Sequence, residues 1–166
     1  MYVDPKIAAH ESIVIYDRDR QWRQFLAREL KVLGFGLVSQ TDNPKAALRA
    51  IRDNHADALI TQHDLQLVKF LRNHRASPDK RIIIVLVTSN VGAEDILAER
   101  DAGVNEIVAK PASAGQVIDH LYGALTHPRR FIDTNRYHGP DRRRHMGGRH
   151  SPERRGRGQA TVSENE

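Results

Sequence analysis

The 166 residues leave room for one domain with a real core plus an extension of a few dozen residues. The absence of cysteine rules out disulfides, thiolate chemistry and cysteine-based metal sites, and fits a reducing cytoplasm. The net charge of +5 lies wholly at the C-terminal end: residues 1–127 hold 16 Lys+Arg and 16 Asp+Glu, whereas 128–166 hold ten Arg, no Lys and five acids.

Residues 1–10 read as an N-terminal extension. They carry no apolar signal core, and the longest aliphatic run of the chain, Ile82 to Val87, is too short to cross a bilayer, so a cytoplasmic protein without membrane insertion is expected. Ser12 to Tyr16 is an apolar run that ends in Asp17-Arg18-Asp19, the pattern of a buried strand with acids at its C-terminal end. Trp22, Phe25, Leu26, Leu30 and Leu33 recur at three- and four-residue steps and predict an amphipathic helix stopped at Gly34. Gly36 to Gln40 reads as a second strand, and Asp42-Asn43-Pro44 as the cap and first turn of a helix reaching about Asn54.

Ala58 to Thr61 is a third strand, followed by a helix marked by Leu65, Val68 and Leu71. Ile82 to Thr88, β-branched and without alternation, predicts a central parallel strand covered on both faces. A helix over Ala93 to Ala102 stops at Gly103, a fifth strand spans Asn105 to Ala109 before Lys110-Pro111, and Ser113 caps a last helix through Val117, Ile118, Leu121 and Leu125. Five strands alternating with five helices over residues 11–126 predict an α/β domain, a doubly wound (βα)5 parallel sheet with functional residues at the carboxyl ends of its strands. Residues 127–166 lose all periodicity and read as an arginine-rich arm, disordered without a ligand.

In this order of elements the chain resembles the CheY-like receiver domain of bacterial response regulators, a flavodoxin-like fold, over roughly residues 11–126. The resemblance implies an acidic pair after strand one, a phosphate-accepting Asp after strand three, a hydroxyl after strand four and Lys-Pro after strand five. Here Asp17 and Arg18 stand at the pair, Gln62 at the acceptor, Thr88 at the hydroxyl and Lys110-Pro111 at the lysine. A carboxamide cannot be esterified by phosphate, so Gln62 is not expected to accept it. With Asp17 the one carboxylate left and Arg18 beside it, Mg²⁺ is not expected as a cofactor. The switch aromatic that the resemblance implies three residues before the lysine is Ile107.

The arm contains an echo: Pro-Asp-Arg-Arg at 140–143 returns as Pro-Glu-Arg-Arg at 152–155. Arginine donates to the O6 and N7 of guanine or stacks on its ring, while a neighbouring carboxylate accepts from the N1 and N2 edge. Two such units suit a ligand with two guanines and two phosphates. The pattern of residues 131–144 is similar to the tails of stand-alone CheY-like proteins, which implies binding of cyclic di-GMP followed by docking on a protein such as the flagellar motor. The expected ligand-binding residues are Arg130, Asp133, Arg136, Asp141, Arg142, Arg143, Arg144, Arg149, Glu153, Arg154 and Arg155.

Other readings remain at this stage: a solvated polybasic segment, a nucleic-acid or protein-docking module, or a phosphorelay regulator modified by a histidine kinase on Asp64 or Asp17. No nucleophile–base pair or metal cluster can be assembled from the sequence, so it gives no basis for enzymatic turnover.

Overall fold

The computed structural model describes residues 3–89 and 92–143. A short helix α1 (Pro5–Ala8) precedes β1 (Ser12–Tyr16), α2 (Arg20–Val32), β2 (Leu37–Thr41), α3 (Pro44–Asp53), β3 (Ala58–Gln62) and α4 (Leu65–Asn73). Then follow β4 (Ile83–Thr88), α5 (Ala93–Ala102), β5 (Glu106–Ala109) and α6 (Ala114–Thr126), and a hairpin of β6 (Phe131–Thr134) and β7 (Tyr137–Pro140). β1 to β5 form one parallel sheet in the order β2-β1-β3-β4-β5, the CheY-like, flavodoxin-type arrangement. The strand order reverses beside β1, so the crevice between the ends of β1 and β3 is the topological switch point where such sheets build their sites.

Side chains alternate across the sheet and feed two cores. Ile13 and Ile15 join Leu26 and Leu30 of α2 and Val117 and Leu121 of α6 on one face. Val14 and Tyr16 join Ala47 and Ile51 of α3 and Val68 and Leu71 of α4 on the other. Helix ends follow their caps: the Asn43 side chain accepts the Lys45 amide at 2.9 Å, and Ser113 with Gln116 forms a capping box. No helix among the described residues is long and apolar enough to cross a membrane.

The N-terminal extension packs against the domain, with Val3 and, at the end of α1, Ala8 in the core. Two features depart from the sequence reading. Phe25, expected on the buried stripe of α2, is 41% exposed and lies under the Arg28 guanidinium. The arm expected to be disordered from residue 127 instead folds its first part, 128–143, as the hairpin.

The hairpin docks at the N-terminal rim of the sheet, against the residues that lead into β4 and β5. Phe131 lies between two guanidinium groups, Arg72 at 5.7 Å and Arg81 at 5.4 Å from its ring. Gly139 meets Gly103 back to back: a Cβ on Gly139 would stand 2.9 Å from the Gly103 Cα, and one on Gly103, whose φ is +98°, 2.7 Å from the His138 carbonyl oxygen. Arg142 stacks on Tyr137 at 3.7 Å and pairs with Asp101 of α5 at 2.6 Å.

Beneath the hairpin, Arg72 is fully buried. It donates to the Gly103 carbonyl at 2.8 Å, the Lys80 carbonyl at 2.7 Å and the Asn105 side-chain oxygen at 2.9 Å. Burial draws its pKa down to about 10, so it stays charged at neutral pH. Replacing Arg72 with Met keeps bulk but leaves two carbonyls unpaired; urea unfolding should show a loss of about 3 kcal/mol. A loss below about 1 kcal/mol would mean these bonds count no more than exposed ones.

Candidate functional site

At the C-terminal rim the structure brings together Asp17, Gln62, Thr88 and Lys110. Asp17 follows β1 and is buried, its backbone N–H bonded to the Thr41 carbonyl at 3.3 Å. Its Oδ2 accepts from the Lys110 ammonium at 3.2 Å and its Oδ1 from the Asp19 amide at 2.9 Å. Arg23 of α2 donates to the Asp17 carbonyl. Thr88 is buried at the end of β4, and its carbonyl accepts the Lys110 amide at 2.7 Å.

Gln62 ends β3 and spends both halves of its carboxamide inside the rim. Its oxygen accepts the Arg18 backbone N–H at 2.9 Å, and its nitrogen donates to the Tyr16 hydroxyl at 3.4 Å. The Tyr16 hydroxyl donates in turn to Asp64 Oδ2 at 3.2 Å. Burial first, then the Asp64 charge, push the Tyr16 pKa up against the pull of Arg18, so the phenol keeps its proton.

Asp64, one of the two acids considered for a displaced acceptor, does not continue the strand beside Gln62. It caps α4, with Oδ1 accepting the Leu67 amide at 3.0 Å, so both its oxygens are engaged. The other, Asp17, is held by Lys110, and Asp19 caps α2 through Trp22. The acidic neighbours of this rim are thus each hydrogen-bonded within the protein, and among the described residues no group of three or more His, Asp or Glu is placed to hold a metal ion. Mg²⁺ takes near-octahedral oxygen ligands, usually with more than one carboxylate or phosphate. One carboxylate already paired with an ammonium does not fit it.

Beside Gln62, the sequence reading missed a pair. His63 Nδ1 lies 2.9 Å from Oε1 of Glu99, a fully buried carboxylate of α5 whose Oε2 has no hydrogen-bond partner. Nothing in the local pattern marks Glu99, which sits where a helix would ordinarily bury an apolar side chain.

A second candidate site lies near the opposite rim. There α5, β5 and the arm enclose a cavity of about 580 Å³, within the usual range for a small-molecule site. Of the expected ligand residues, Arg130, Asp141, Arg142 and Arg143 line it; Arg100 of α5 and Arg129 join them without having been singled out. Ile96, Ile107, Tyr137 and Pro140 supply its apolar surface. Asp133 does not meet Arg130 in a site: it pairs with His138 across the hairpin, and Arg136 stands exposed in the turn. Arg144, Arg149, Glu153, Arg154 and Arg155 lie outside the described residues.

A larger hollow of about 820 Å³ adjoins this cavity across Arg129 and Arg130. Charge separates the two. The larger one sets Glu11, Asp57 and Asp79 against Arg52, Arg81 and the two shared arginines. There Glu11 has its pKa raised by burial first and then by Asp57, the mark of a crowded acidic corner. The smaller cavity sets five arginines against Glu106 and Asp141, so an anion is favoured in the smaller.

No protein-family profile matches the chain. It is 26% identical over 113 residues to the chemotaxis protein CheY-3 of Vibrio cholerae, covering 66% of this chain and 87% of that one. To the chemotaxis protein CheY of Pseudomonas aeruginosa it is 28% identical over 106 residues, 61% of this chain and 86% of the relative. Among solved structures, CheY4 of Vibrio cholerae superposes with a TM-score of 0.60 at 19% identity, covering 67% of this chain and 95% of that one. Together these relatives and neighbours support a CheY-like response-regulator receiver domain and indicate no enzymatic family.

The single tryptophan, Trp22, sits in the first turn of α2 and reports on this rim. Its fluorescence should not respond to about 10 mM Mg²⁺, whereas the Arg18→Asp/Gln62→Asp double variant, which restores three carboxylates, should respond saturably in the millimolar range. A saturable response of the unaltered protein would contradict the misfit of the donor set.

Proposed function

We propose that this receiver domain is a signalling adaptor that works without phosphorylation: its arginine-rich arm binds cyclic di-GMP, and the liganded protein docks on a protein partner such as the flagellar motor switch. The observation that carries the reading is the convergence of Arg130, Asp141, Arg142 and Arg143 on one cavity with a surplus of positive charge. The chemistry of the other rim supports it, because an amide at Gln62 offers no carboxylate for an acyl phosphate and the acids around it are already bonded.

The cavity matches a guanine dinucleotide in kind. Arginine meets phosphate oxygens with two parallel N–H donors, and Arg142 over Tyr137 builds a flat stacked surface of the sort that purines extend. The Asp141 carboxylate accepts the Arg143 amide at 2.9 Å through one oxygen and retains a second for the N1 and N2 edge of guanine. A nucleic-acid strand would want the arginines spread along a groove with stacking residues between them; here five of them line one concavity.

Ordering is already partial before any ligand arrives, since the hairpin is docked. Binding therefore loses less conformational entropy than if the whole arm had to fold, which favours affinity. Isothermal titration with cyclic di-GMP, in excess ATP and at moderate salt, should give saturable heat with a dissociation constant on the order of 1 µM. Absence of saturable heat, or equal binding of inorganic polyphosphate, would refute the reading.

A further inference from the structure

The arginines around the cavity are not equivalent. Arg142 is committed to Asp101 and to the Tyr137 ring. Arg129 pairs with Glu106 at 2.7 Å, and Glu106 is shared with His120 at 3.1 Å. Arg100, Arg130 and Arg143 remain, and among the described residues none of them has a carboxylate within ion-pair distance. Three uncompensated guanidinium groups lining one concavity raise its potential, and an anion between them relieves the repulsion.

One of the three does not come from the arm. Arg100 is exposed on α5, and among the described residues its side chain makes a long 3.4 Å donation to the Arg142 carbonyl. One residue later the same helix holds Arg142 through Asp101, so the wall that carries Arg100 and the wall that carries Arg143 are joined at the rim of the cavity. The backbone contact of Gly103 with Gly139 fixes the hairpin against the end of α5. Between the walls lie Ile96 of α5 and Ile107 of β5, a patch that an aromatic base can cover.

We infer that the receiver body forms one wall of the ligand site: Arg100 and Arg143 hold the phosphodiester of the dinucleotide from opposite sides while a base lies on Ile96 and Ile107. This rests on the reading of the arm as a binder of a guanine dinucleotide, and it makes the site composite. The arm contributes the guanine-reading carboxylate and the body contributes a phosphate ligand and the apolar floor, so affinity depends on hairpin docking as well as on arm sequence.

The test is titration of full-length variants with cyclic di-GMP, with urea midpoints to confirm that each is folded. Arg100→Ala should weaken binding about tenfold or more, the loss of one charge-assisted contact. Gly139→Ala changes no charge but sets a methyl group against the Tyr137 ring and the Gly103 Cα, so it unseats the hairpin and its Tyr137 stack together, and should weaken binding by a similar factor. Arg28→Ala, which removes the same charge from the remote face of α2, should stay within about twofold. If the unaltered protein binds and Arg100→Ala binds within about twofold of it, the composite site is overturned while the arm reading stands. If Arg28→Ala weakens binding as much as Arg100→Ala, the effect is one of bulk charge and the composite site is equally overturned. If the unaltered protein shows no saturable binding, both fall.

Discussion

The Gln62 side chain ties β1 to β3 at the switch point of the sheet: its oxygen holds the Arg18 amide, its nitrogen reaches Tyr16, and Tyr16 passes the bond on to Asp64. A carboxylate in the same place could accept the Arg18 amide and a Tyr16 proton but could donate nothing, and it would bring a second negative charge beside Asp17. With the amide, Lys110 has one buried partner to neutralise, and the pair at 3.2 Å is balanced. Separating such a partly buried pair is costly because the survivor keeps an uncompensated charge. At this rim Gln62, Tyr16 and Asp64 are bonded in series and Asp17 is paired with Lys110, while a surplus of cationic side chains lies elsewhere in the molecule.

Elsewhere means the opposite rim, where the polar inventory has the reverse character. Arg72 is buried with each of its three side-chain nitrogens bonded, yet its ring partner Phe131 comes from the arm, so the buried cation and the docked hairpin depend on each other. Cation–ring contacts of this kind contribute on the order of 1 kcal/mol each. Two of them, with the Gly103–Gly139 contact and the Arg142–Asp101 pair, hold a ten-residue hairpin that has too few strands to stand alone. Among the described residues, Arg100, Arg130 and Arg143 have no carboxylate partner there, whereas at the C-terminal rim Lys110 is paired with Asp17.

The strands were legible because a parallel sheet covered on both faces needs unbroken β-branched runs, and Ile83–Thr88 is such a run. Caps placed helix starts at Pro44 and Ala114, and Gly103 placed the end of α5. Gln62 and Lys110 could be found for the same reason: they stand one step beyond runs whose ends were clear. The hairpin could not be found so. Its strands are four residues each, its turn Thr134-Asn135-Arg136-Tyr137 has no glycine, and what holds it is contributed by Arg72, Arg81 and Gly103, remote in sequence. Arginine-rich composition there reads as a solvated arm until those partners are known. Arg100 was missed for the complementary reason, since a single exposed arginine on a helix carries no signal before the arm is seen to fold against it.

Helix α5 is the element where both rims meet, and helical geometry explains how. Consecutive residues turn by about 100°, so Glu99 and Asp101 point to nearly opposite sides with Arg100 between them. Glu99 is turned into the protein and meets His63 next to Gln62; Asp101 is turned to the arm and meets Arg142. The helix has little apolar stripe to anchor it: Leu97 is 54% exposed, and a carboxylate occupies the buried position three residues before Ala102. Its seating therefore relies on polar ties at its last turn, one to each end of the sheet.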